Sequence, residues 1–138
     1  MTADPRPAVL YACVHNSGRS VAALALTRAH AGDRVDVRSA GSDPDSGVHP
    51  AVAQVLAERD LDVANHVPAP LTPDRVAQAD IVVTIGCGET CPVFPGTRYQ
   101  DWPVDDPAGQ DLPAVRRIVD EIDLRVRGLL AELDVDVR

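Results

Sequence analysis

A cysteine followed six positions later by an arginine, with small polar residues between, is the feature of this 138-residue chain best suited to chemistry. The segment reads Cys13-Val14-His15-Asn16-Ser17-Gly18-Arg19-Ser20. A thiol at a strand end, a loop of polar residues and a helix opening at Arg19 let successive backbone N–H groups curl around an oxyanion. The backbone of Val14, His15, Asn16, Ser17, Gly18, Arg19 and Ser20 would form the cradle, and the Arg19 guanidinium a two-pronged clamp. The helix N-terminus and the Ser20 hydroxyl would favour the thiolate of Cys13. Gly18 allows close backbone approach, and Asn16 tolerates the left-handed conformation such loops need. The competing account is a buried cysteine beside a surface arginine. The end of the first strand of an open α/β sheet, where ligands bind, favours the site. His15 has no evident second ligand and reads as a loop residue. Asp106, in Asp105-Asp106-Pro107-Ala108-Gly109, lies on a loop before the last helix. It is placed either to give a proton to a leaving oxygen or to form a turn and helix cap.

The elements that must position these residues alternate. Residues 8–13 are a short apolar run suited to a buried strand, and residues 19–31 are rich in helix formers with Gly32 as the expected cap. Residues 35–40 alternate as a second strand, and residues 51–59 carry Val52, Val55 and Leu56 on one helical face. Thr72 and Pro73 open a short helix, Ile81 to Ile85 is a β-branched central strand, and residues 98–102 are a further short strand. Residues 111–133 form an amphipathic helix, with Glu121–Arg125 and Asp123–Arg127 expected as pairs on its exposed face. The fold class is α/β: three layers, an open four-stranded parallel sheet with helices on both faces, in one domain spanning 1–138.

Composition narrows the partners. There are 13 basic residues against 21 acidic ones, a net charge of −8, and every basic residue is arginine. That balance disfavours nucleic acid and anionic membrane as partners, and no run is long enough to span a bilayer. The start of the chain lacks the apolar core of a signal peptide, so a cytoplasmic location is expected. Three cysteines, Cys13, Cys87 and Cys91, exclude a closed set of disulfides within the chain. In a reducing compartment they are buried hydrophobes, catalytic thiols or metal ligands. A zinc site needs two ligands more than Cys87 and Cys91, and His15, His30, His49 and His66 show no matching spacing. No metal is therefore expected.

The cysteine-to-arginine loop, Ser39-Ala40-Gly41, the stretch from Val82 through Cys87-Gly88-Glu89-Thr90-Cys91-Pro92, and Asp101-Trp102 through Gly109 together resemble the thioredoxin-coupled arsenate reductases. Those enzymes are built on the low-molecular-weight protein tyrosine phosphatase fold. The resemblance implies a flavodoxin-like sheet, arsenate as substrate and no cofactor. It also implies a relay. Cys13 attacks arsenate, Asp106 protonates the departing oxygen, Cys87 attacks Cys13 as arsenite leaves, and Cys91 carries the oxidation outward as a Cys87–Cys91 disulfide. Gly86 and Gly88 would permit the loop motion. Thioredoxin is the implied reductant, with a low-molecular-weight thiol such as mycothiol and a glutaredoxin-like protein as the other choice, and a monomer is expected. Ala108 and Gly109 stand where the phosphatases place aromatics against the phosphotyrosine ring, although Phe94, Tyr99 or Trp102 remain candidates to line the mouth. Leu24 replaces the carboxylate of a potassium site, so potassium is not expected. A phosphatase acting through a phosphocysteine, and a non-catalytic oxyanion or thiol sensor, are the alternative functions.

Overall fold

The computed structural model describes residues 6–86, 91 and 93–135. Four strands, β1 (Ala8–Cys13), β2 (Asp36–Gly41), β3 (Ile81–Ile85) and β4 (Arg98–Trp102), form one sheet in the order β2-β1-β3-β4. Every neighbouring pair is parallel. Four α-helices intervene: α1 (Arg19–Ala31), α2 (Pro50–Ala57), α3 (Pro73–Ala77) and α4 (Leu112–Glu132). Because the strands run in one direction, the segments that follow them leave the sheet at one edge. Cys13 faces Gly41 across the β1–β2 register, Ala12 faces Thr84, and Ile85 faces Trp102.

Strand alternation sorts the core into two layers. Val9 and Tyr11 of β1, with Ile81, Val83 and Ile85 of β3, point into a layer shared with α1, α2 and α4. Leu10, Ala12, Ala40 and Val82 point the other way, toward Val76 of α3 and the half-buried Leu71, Ala79, Phe94 and Tyr99. Both faces are therefore covered, but unequally: three helices on one side, and a five-residue helix with loop residues on the other. Trp102 is buried in the first layer, its ring centroid 5.6 Å from that of Tyr11. It packs in the core and does not line the mouth of the site as expected. Among the described residues no helix is long and apolar enough to cross a membrane.

The Asp123–Arg127 pair forms at 3.2 Å, but its expected exposure is wrong. Asp123 is buried because α4 packs against both α1 and α2, and its carboxylate serves both. Oδ1 lies 2.6 Å from His30 Nε2 of α1, and Oδ2 lies 3.6 Å from Arg59 Nη1 just beyond α2. Burial pushes the Asp123 carboxyl up, yet the hydrogen bonds and charges of His30 and Arg127 outweigh it and hold the group below its ordinary value of 3.8. A depressed carboxyl contributes stability above its unfolded-state value and loses it as pH falls through the folded one. Stability measured by urea titration should accordingly decline below about pH 4, and Asp123→Asn should be less stable at neutral pH with a shallower acid decline. On the same helix, Ile122→Ala should remove about 3 kcal/mol, whereas Leu124→Ala, at a side chain 71% exposed, should change stability by less than about 0.5 kcal/mol.

Candidate active site

The loop leaving β1 is braced from outside. Backbone N–H groups of Ser42, Asp43, Asp45 and His49 donate to the carbonyls of Cys13, Val14, His15 and Ser17, at 3.3, 2.7, 2.9 and 2.8 Å. The carbonyls are thereby committed to the segment after β2. The N–H groups of residues 14–20, by contrast, meet no carbonyl among the described residues. Helix α1 continues this asymmetry. His49, Thr72 and Asp111 cap the other three helices with side-chain acceptors, while α1 has neither a side-chain cap nor an acidic residue in its first turn. Its unpaired amides and positive dipole end therefore face the loop.

Two glycines permit the close brace. A Cβ on Gly41 would lie 2.6 Å from the Val14 carbonyl oxygen and 2.8 Å from the Asn16 nitrogen. Ser39-Ala40-Gly41, identified in the sequence only as part of a resemblance, thus has a steric reason. Asn16 adopts φ 49°, the left-handed conformation expected of it. Gly18 faces Pro107, whose Cγ would be 3.2 Å from an added Cβ, which brings the Asp106 loop against the cradle.

A directed chain of hydrogen bonds ends on the thiol. The Ala69 N–H can only donate, so the Asn16 side-chain atom 3.0 Å away is the amide oxygen. The amide nitrogen of Asn16 then donates to Ser20 Oγ at 2.8 Å. Ser20 Oγ keeps its own proton available to point at Cys13 Sγ, 2.9 Å away. His66 Nε2, 3.3 Å from the same Asn16 oxygen, must carry its proton there. Burial holds His66 below its ordinary value, with a hydrogen bond to the Asn16 backbone opposing this and the Arg28 charge adding to it. Asn16 and Ser20 are fully buried and Cys13 is nearly so. The roles of His66 and Ala69 were not legible, because both lie some fifty residues from Asn16 in sequence.

Arg19 is 9% exposed and has no carboxylate partner among the described residues. It is held instead by neutral oxygens: Nη1 donates to the Val104 carbonyl at 2.9 Å and to the Gly86 carbonyl at 3.4 Å. Gly86 is at φ 67°, and a Cβ there would stand 1.8 Å from Nη1. The sequence suggests a hinge at this glycine; its packing requirement is that Arg19 occupies the place of its side chain. A buried guanidinium bound only by carbonyls retains its full charge for an anion.

The remaining candidates lie around this centre. Asp106 is exposed, and its Oδ1 accepts from the Ala108 N–H at 2.9 Å, as the turn reading requires, with the second oxygen unused by that bond. Cys91 is buried in a small cluster with Cys13, against which Leu71 packs, and its sulfur lies 3.9 Å from Ser42 Oγ. Cys87 and Gly88 lie outside the described residues. His15 is exposed and donates from Nδ1 to the Asp43 carbonyl at 3.1 Å. Tyr99 accepts from the Phe94 N–H at 2.9 Å, and both rings pack on the second core layer. Among the described residues no group of three His, Cys, Asp or Glu side chains is placed to hold a metal ion. Ser20→Ala should slow alkylation of Cys13 by iodoacetamide at pH 7 by about tenfold, followed by mass spectrometry of the Cys13 peptide, since a hydrogen bond to a thiolate contributes about 1.5 kcal/mol.

Comparison with known proteins bears on the fold and the family. The family model for low molecular weight phosphotyrosine protein phosphatase matches residues 8–138. Arsenate reductase 1 of Bacillus cereus is 33% identical over 128 residues, covering 90% of this chain and 94% of that protein. The structure of a thioredoxin-dependent arsenate reductase from Corynebacterium glutamicum superposes with a TM-score of 0.81 at 44% identity, over 96% of this chain. The present chain spans 64% of that longer one. An Erwinia amylovora tyrosine phosphatase, 17% identical over 96% of both chains, has a TM-score of 0.82 and so shares the fold. The chain belongs to the low molecular weight phosphotyrosine protein phosphatase family.

Proposed function

We propose that this protein reduces arsenate to arsenite through a cysteine relay. The observation that carries the reading is a second cysteine, Cys91, buried beside the nucleophile Cys13 at the edge of the sheet where the anion loop lies. A phosphatase needs one thiol; a reductase must dispose of two electrons' worth of oxidation. Similarity to proteins named arsenate reductase supports the same choice.

In the proposed sequence the Cys13 thiolate attacks arsenic, and Asp106 protonates the departing oxygen, which leaves as water. The amides of residues 14–20 and Arg19 hold the remaining oxygens. The Cys87 thiolate then attacks Cys13 Sγ. The sulfur–arsenic bond breaks with its electron pair on arsenic, which passes from As(V) to As(III), and a Cys13–Cys87 disulfide forms. Cys91 attacks Cys87, the Cys13 thiolate leaves, and the resulting Cys87–Cys91 disulfide is reduced by an external dithiol. Thioredoxin is the proposed donor, consistent with the thioredoxin-dependent Corynebacterium protein. In the structure Cys13 keeps its thiol while Cys91 is disulfide-bonded, the arrangement the proposed relay reaches before the external dithiol acts.

The family's phosphatase chemistry is the second reading, because the anion cradle, Arg19 and Asp106 would serve a phosphoester equally well. Arsenate-dependent NADPH oxidation with thioredoxin and thioredoxin reductase separates the two. Turnover is expected in the parent protein. Cys13→Ser should abolish it, Cys87→Ser should stop before arsenite release, and Cys91→Ser should release about one equivalent and then halt. Undiminished turnover in both Cys87→Ser and Cys91→Ser, or aryl phosphate hydrolysis without arsenate reduction, would assign the site to the phosphatase.

A further inference from the structure

His66, which steers Asn16, also lines a cavity of about 440 Å³ between α1 and the segment from Asp60 to His66. No residue of the anion loop lines it. Leu24, Leu61 and Val63 give it an apolar wall. Its charged groups are left unmatched. Arg28, exposed on α1, forms no ion pair with a carboxylate among the described residues. The exposed Asp60 and Asp62 line the same cavity without a cation partner among the described residues, where the only bond to either side chain is from the Ala64 N–H to Asp62 Oδ1 at 2.9 Å. Opposite charges thus border one half-open cavity of mixed polar and apolar lining without pairing with each other. The volume is in the range of sites that hold a small organic molecule.

We propose that this cavity is an effector site for a small zwitterion of the amino-acid or short-peptide class. Its carboxylate pairs with Arg28, its ammonium with Asp60 and Asp62, and its hydrocarbon part lies on Leu24, Leu61 and Val63. Occupancy reaches Cys13 through His66, Asn16 and Ser20, because a ligand against the His66 ring shifts the bond that orients the Asn16 amide. A simple anion would meet the two carboxylates and a simple cation would meet Arg28, so charge complementarity selects a molecule bearing both. The inference is independent of the reaction proposed above.

Calorimetric titration of the full chain with glycyl-L-leucine and γ-L-glutamylglycine tests it, with N-acetyl-glycyl-L-leucine and glycyl-L-leucinamide as singly charged controls. At least one dipeptide should bind with a Kd below about 10 mM. The capped analogues should bind about tenfold more weakly, as should the dipeptide to Arg28→Ala and to Asp60→Asn. Saturation should change the Cys13 alkylation rate by about twofold or more in the parent protein and leave it unchanged in His66→Phe. The absence of binding by either dipeptide, or binding indifferent to Arg28→Ala, would overturn the site. Binding with an unaltered alkylation rate would overturn the coupling. Neither readout uses arsenate, so a failure here leaves the reductase proposal standing, and the converse holds.

Discussion

The loop between Cys13 and Arg19 can turn its N–H groups inward only because its carbonyls are held outward. Four donors from residues 42–49 supply that hold, and they reach the loop because β2 lies beside β1 in parallel register with Gly41 opposite Cys13. A peptide unit that fixes its C=O in one direction sends its N–H the opposite way. The sheet topology therefore creates the anion cradle as a consequence of strand pairing. The lack of a side-chain cap on α1 belongs to the same constraint, since a capping carboxylate would occupy the cradle with a competing negative charge.

Electrostatics at this site is local. A chain of net charge −8 repels oxyanions at long range, so attraction must arise within a few ångströms, from amides, a helix terminus and one guanidinium. Arg19 illustrates how a buried cation is tolerated without being neutralised. Carbonyls of Gly86 and Val104 compensate part of its lost hydration while leaving its charge uncancelled, and a carboxylate in their place would have closed the site to substrate. Gly86 also ties this clamp to the end of β3, the strand that leads toward Cys87, so the anion-binding and redox halves of the proposed mechanism meet at one residue.

Much of this was legible in the sequence because its determinants are local. The run from Ile81 to Ile85 is β-branched and buried on both faces, Thr72 acts as a cap, and Gly32 ends α1 at φ 60°. The anion loop could be read from the order of a strand, small polar residues and a helix. What escaped depends on contacts between distant segments. Asp123 matches the exposed-face pattern by position in α4, and only the convergence of α1 and α2 on that helix buries it. Trp102 looked available to the site, but the pleat of β4 turns it toward Tyr11. His49, which caps α2 through Nδ1, and His66, which bonds Asn16, were invisible because histidine carries no single spacing rule for either role.

The central claim is that backbone amides, freed by the outer brace and completed by Arg19, bind the oxyanion. Titration of ¹⁵N-labelled Cys13→Ser protein with arsenate, followed by amide chemical shifts, tests this most directly, because the nucleophile is removed and binding is seen without chemistry. The account predicts saturable shifts concentrated on the amides of residues 14–20, with one common affinity. Saturable shifts elsewhere while those amides stay fixed would contradict it.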